Sequence, residues 1–161
     1  MSDVLQAIYR RDREEAERLA AGRELDVFEA SALGRTERLR ELLDADPPLV
    51  NAYGEDGFHP VGLASFFGHV EAARLLYERG ADANQIARNE HIQTAAIHAA
   101  AAAGDTGQDE ATRYELVKLA LEHGADPNLP QGGGFRAIDA ARQNGDQRVE
   151  QLLLDYGATP P

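Results

Sequence analysis

Five histidines, His59, His69, His91, His98 and His123, are the residues best equipped for acid–base or metal chemistry. No two stand four apart, and the chain has no cysteine. The paired helical imidazoles and thiolates of common zinc sites are therefore missing. The three serines, Ser2, Ser31 and Ser65, lie outside any G-x-S-x-G turn. Gly132-Gly133-Gly134 could cradle a phosphate. A P-loop continues into Gly-Lys-Ser or Gly-Lys-Thr, however, and the only lysine is Lys118. Asp44-Ala45-Asp46 lacks the further spaced oxygens and closing Glu of a calcium loop. Catalysis needs a convergent set of reactive groups, and these spacings supply none. The sequence predicts a noncatalytic protein with no cofactor, no metal and no catalytic residue.

The elements that would carry such residues repeat. Gly80-Ala81-Asp82 recurs as Gly124-Ala125-Asp126 and, degenerate, as Gly157-Ala158-Thr159, at spacings of 44 and 33. Each copy ends an amphipathic run. A second series, Gly34, Gly68, Gly104 and Gly145, follows short Ala-rich segments at spacings of 34, 36 and 41. Both series reduce to a unit of 33 residues with insertions of 1, 3 and 8. Such a period signals stacked units, none of which buries its apolar face alone.

These units resemble ankyrin repeats. The family pattern has a Gly at a hairpin tip, T-P-L-H-x-A-A, a Gly turn, a second helix and G-A-D-x-N. Here one unit runs Gly57-Phe58-His59-Pro60-Val61-Gly62-Leu63-Ala64, Gly68, then Gly80-Ala81-Asp82-Ala83-Asn84. The next has Ala95-Ala96-Ile97-His98-Ala99-Ala100, and the last has Ala137-Ile138-Asp139-Ala140-Ala141. T-P-L-H is imperfect throughout, keeping Pro60 in one unit and His98 in another. The resemblance implies an all-α solenoid, an ankyrin stack of helix-turn-helix units joined by β-hairpin-like loops. One domain, 1–161, is expected to divide into an N-terminal capping pair (1–25), units 26–53, 54–86 and 87–128, and a C-terminal capping repeat (129–161). The eight-residue insertion, 106–113, is expected as an acidic loop splitting its unit.

The resemblance further implies a partner protein bound on a concave face of hairpin tips and inner helices. The corresponding tip residues are Glu55, Asp56 and Phe58, then His91, Ile92 and Thr94, then Phe135. The inner-helix pairs are Phe66-Phe67, Ala102-Ala103 and Gln143-Asn144. In so Ala-rich a repeat, Phe66 and Phe67 cannot both enter the same core, and at least one is expected to be exposed or partly exposed. Phe58 and Phe135 share a tip position and could act as a pair of aromatic fingers.

Composition sets limits on the partner. The 161 residues include 28 acidic and 16 basic, giving −12 at pH 7. A strong acidic field disfavours nucleic acid and anionic membranes. It suits a basic protein surface, by steering. Segment 26–128 holds 18 acidic and 8 basic residues, so −10 of the charge lies centrally. No basic-then-apolar leader and no apolar run of about 18 residues occurs. A cytoplasmic protein is expected, monomeric before oligomeric. Two other roles fit the same residues: an acidic inhibitor or regulatory subunit of a basic enzyme or DNA-binding protein, and a self-associating scaffold.

Overall fold

Short helices start where a side chain can hold the free amides of the first turn. In the computed structural model, which describes residues 1–102 and 108–160, this recurs in nearly every unit. The helices are α1 Asp3–Tyr9, α2 Arg13–Ala20, α3 Val27–Leu33, α4 Thr36–Ala45, α5 Pro60–Phe66, α6 Val70–Glu78, α7 Ala96–Ala102, α8 Glu110–Glu122, α9 Ala137–Gln143 and α10 Gln147–Asp155. A 3-10 turn, Pro47–Asn51, follows α4. Ser2, Asp12, Asp26, His59, Asp109 and Asp146 cap α1, α2, α3, α5, α8 and α10. Asp26 and Glu29 satisfy each other's backbone amides, a reciprocal capping box.

The helices form two rows. α3, α5, α7 and α9 pack in sequence as the inner row, and α4, α6, α8 and α10 as the outer row. Large aliphatic side chains seal the space between them. Leu39, Leu43, Leu76, Ile97, Leu116, Ile138 and Leu153 are all fully buried, each contributing roughly 1.5–3 kcal/mol. Inner helices contribute alanines, which let the rows approach closely. A smaller apolar cluster joins α1 and α2 to the stack through Val4, Ile8, Ala16, Ala32 and Leu63.

The expected hairpin-like loops are hydrogen bonded without extended strands among the described residues. Within loops, Gly54 donates to Phe58, Ala87 to Thr94 and Gln131 to Phe135. Between loops, Arg88 donates to Gly57 and Gly132 to Gln93, at 2.8–3.0 Å. Asparagines tie the opposite ends of the units. Asn84 donates to the Gly124 carbonyl at 3.0 Å and accepts from the Asp126 amide at 2.8 Å. Asn51 and Asn128 make the same two contacts with the unit after each of them. Asn84→Ala removes one such clamp and is expected to cost about 1–2 kcal/mol in urea unfolding. A loss under about 0.3 kcal/mol would show that the clamp contributes nothing.

The insertion departs from the expected acidic loop. Its second half, from Glu110, is the first turn of α8, with Asp109 as cap. Asp109 before Glu110 was the helix-start signal in the sequence. α8 is accordingly 13 residues long against nine for α6 and α10. Residues 103–107, including Ala103 and the first part of the insertion, lie outside the described residues.

Candidate functional site

A groove of about 610 Å³ runs along the inner row. Four successive units line it: α1 and α2 through Ile8, Tyr9, Arg11, Arg13, Ala16 and Glu17; α3 through Ala32 and Leu33; the next unit through Phe58, His59, Gly62, Leu63, Phe66 and Phe67; and the last through His91, Ile92, Thr94 and Ala99. Its surface is mostly carbon.

The aromatic lining is braced from beneath. Tyr9 donates its hydroxyl to Asp56 at 2.7 Å. Burial, and then the Asp56 carboxylate, push the phenol well above its ordinary range. Phe67 stacks on Tyr9 at 6.2 Å, and Phe58 meets Tyr9 edge-on at 6.1 Å. Phe66 stands edge-on to Phe67 at 4.9 Å and is 41% exposed, while Ile92 is 47% exposed. Phe66 faces solvent and Phe67 is half-buried, so neither ring is wholly in the core.

His59, His69 and His91 line the groove, and His98 is buried in α7. His98 accepts the Ala95 amide on Nδ1, and its Nε2 meets the Leu129 carbonyl of the next unit at 2.6 Å. His59 sits three residues earlier in its motif and does related work. Its Nδ1 accepts from the Gly62 amide at 3.1 Å, capping α5. Its buried Nε2 has no hydrogen-bond partner. A Cβ on Gly62 would lie 2.7 Å from the His59 ring. Gly62 is thus the vacancy that admits an imidazole carried from the motif's first position. His69 Nε2 meets the Ala32 carbonyl at 2.8 Å across the unit boundary. Burial pushes His59 down to about 4, against weaker opposition from the Gln85 carbonyl, the Asp82 carboxylate and the Thr94 carbonyl. Burial also pushes His69 and His98 down.

Phe58, Phe66, Phe67, His91, Ile92 and Thr94 therefore line one groove. Asp56 supports it from the tip. Glu55 is exposed beside it and pairs with the Met1 ammonium. Ala102, Phe135, Gln143 and Asn144 are exposed but do not line it. Phe58 lies on Tyr9 and Phe135 sits outside the groove, so the two do not form a joint aromatic finger. Tyr9, Arg11 and Arg13 went unpredicted as lining residues. The N-terminal pair lacks the repeat motif, so no register carried the concave positions onto it. Among the described residues no cluster of three or more His, Asp or Glu could hold a metal ion. None of the described helices is long and apolar enough to cross a membrane.

Comparison with known proteins agrees with this architecture. A family model described as ankyrin repeats (3 copies) matches residues 27–130. The chain belongs to the ankyrin repeat family. It is 31% identical over 132 residues to ankyrin repeat and SAM domain-containing protein 6 of Rattus norvegicus, covering 80% of this chain and 13% of that protein. It is 34% identical over 158 residues to ankyrin repeat and SOCS box protein 16 of Homo sapiens, covering 88% of this chain and 32% of that one. The chain thus spans a third or less of either relative. Among solved structures, an ankyrin repeat domain from Acinetobacter baumannii AYE superposes with a TM-score of 0.73 at 29% identity. That match covers 83% of this chain and 64% of the other. Ankyrin repeats are in general protein–protein interaction modules.

Proposed function

We propose that this chain is a noncatalytic, cytoplasmic, monomeric binding module that holds a partner protein on its concave face, centred on the Tyr9–Phe66–Ile92 groove. The carrying observation is the solvent-facing Phe66 ring, fixed on Phe67, which in turn stacks on Tyr9. A ring held in this way loses little freedom when a partner covers it, which lowers the ordering cost of association. Burying it contributes roughly 1.5–3 kcal/mol.

Phe66→Ala is the discriminating variant, because Phe67 also serves the core. Affinity capture from cell lysate is expected to lose the partner at least about tenfold, with the unfolding midpoint within a few degrees of wild type. Undiminished capture by the variant, or a midpoint that collapses, would make Phe66 a structural residue and move the binding surface elsewhere.

A further inference from the structure

Against the whole-chain charge, the N-terminal end of the groove carries two cations, while three carboxylates stand at its rim: Asp56 on the Tyr9 hydroxyl, Glu55 paired with the Met1 ammonium, and exposed Glu90. Many acidic residues of the central units stand on the outer row and the loops after it, as with Glu37, Glu41, Glu71, Glu78, Asp82 and Glu122. The carboxylates and cations lining the groove are three: Arg11, Arg13 and Glu17. Glu17 is already taken by Arg35. Neither Arg11 nor Arg13 has an ion-pair partner among the described residues. The remote carboxylates are attenuated over a Debye length of about 8 Å at physiological salt, whereas groove contacts are not.

Arg11 carries a second mark. It is the one non-glycine among the described residues with a positive φ, at 62°. That region disfavours an L side chain and is normally given to Gly. The turn between α1 and α2 imposes it: the Arg11 amide donates to Ile8 and the Asp12 amide to Ala7. A guanidinium is thus held at the groove at the expense of backbone comfort.

Building on the concave-face reading, we infer that the groove takes an acidic segment of a partner chain, with apolar side chains on the Phe66–Ile92 surface and carboxylates on Arg11 and Arg13. Four lining units, at about 8–10 Å per step, give a trough roughly 25 Å long. An extended peptide of about eight residues spans that length. The partner chemistry is the reverse of the basic surface that the net charge suggests.

The test uses phage-displayed random dodecapeptides selected on the full chain, with the best sequence resynthesised for fluorescence anisotropy. Selected peptides are expected to be net acidic with at least one aromatic or aliphatic residue. Their affinity is expected to fall severalfold between 50 and 300 mM NaCl. Arg11→Gly relaxes the strained turn, so it is expected to keep or raise thermal stability while weakening the peptide about fivefold or more. Arg13→Gln is expected to weaken it comparably at unchanged stability. Basic or neutral winners overturn the assignment, and so do acidic winners that bind both arginine variants within twofold of wild type. If binding then still depends on Phe66, the concave-face reading survives alone. Binding indifferent to Phe66→Ala, or no enrichment at all, overturns both.

Discussion

Asp146→Ala is expected to cost about 3–5 kcal/mol, a large part of the stability of a domain this size. Asp146 and Arg113 are both buried, with the guanidinium Nε donating to the carboxylate at 3.2 Å. Arg113 also donates to the Gln108 carbonyl at 2.8 Å. Asp146 additionally caps α10 by accepting from the Val149 amide. The alanine therefore strands a buried cation and uncaps a helix, and the two losses act in the same direction. In a stack whose units contact only their neighbours, the damage falls on the last unit. Urea unfolding should turn biphasic, with α9 and α10 released first. The pair Arg113→Met and Asp146→Asn keeps the cap and removes both charges. It should cost less than the sum of its own single variants, Arg113→Met and Asp146→Asn, by well over about 1 kcal/mol, which is the coupling energy of the pair. A single-variant cost below about 1 kcal/mol, or additive single and double costs, would show that the pair is solvated and energetically idle.

That ion pair also marks where the sequence stopped being readable. The fold was legible because glycine positions repeat with a period and because their two series displace together at each insertion. Those signals fix where helices end. They do not tell what an insertion contains, and 106–113 looked like an acidic loop by composition. The cap Asp109 before Glu110 marked the helix start locally, but the partner of Arg113, Asp146, stands 33 residues further on and has no local signature. An inserted arginine reads as a solvated charge until its partner is known.

The groove was legible in part for a related reason. Tip and inner-helix positions transfer along the repeat, so Phe58, Phe66, Phe67, His91, Ile92 and Thr94 could be named from register. Register alone also named Phe135, Gln143 and Asn144, which share the pattern but stand on a unit beyond the groove. It missed Tyr9, Arg11 and Arg13, which belong to a pair without the motif. The two arginines on the groove were hidden too. Net charge sums over the whole stack and does not show that Arg11 and Arg13 stand together at one end of the groove.

Lowering the pH from 6.5 towards 5 is expected to destabilise the protein steeply. His59 and His98 are buried and His69 is half-buried, burial holds all three towards the neutral form, and His59 is pushed down to about 4. The unfolded chain binds protons near the ordinary histidine value of about 6.5. Between these values the unfolded state holds more protons than the native state, so stability falls as pH falls. His59 alone accounts for as much as about 3 kcal/mol by pH 4, at about 1.4 kcal/mol per unit. The ring nitrogen makes the reason concrete. His59 Nδ1 and His98 Nδ1 accept backbone amides, and protonation turns each acceptor into a donor facing a donor. The window of pH 5–6.5 isolates this effect, because ordinary carboxylates stay ionised there. His59→Thr supplies a hydroxyl that can still cap α5 and removes one titrating ring. Its stability at pH 7.5 should drop through the vacated volume beside Gly62. Its proton uptake on unfolding, from the slope of unfolding free energy against pH, should be about one proton smaller than wild type near pH 5.5. An unchanged slope would mean that His59 titrates alike in both states and that its burial is relieved by solvent.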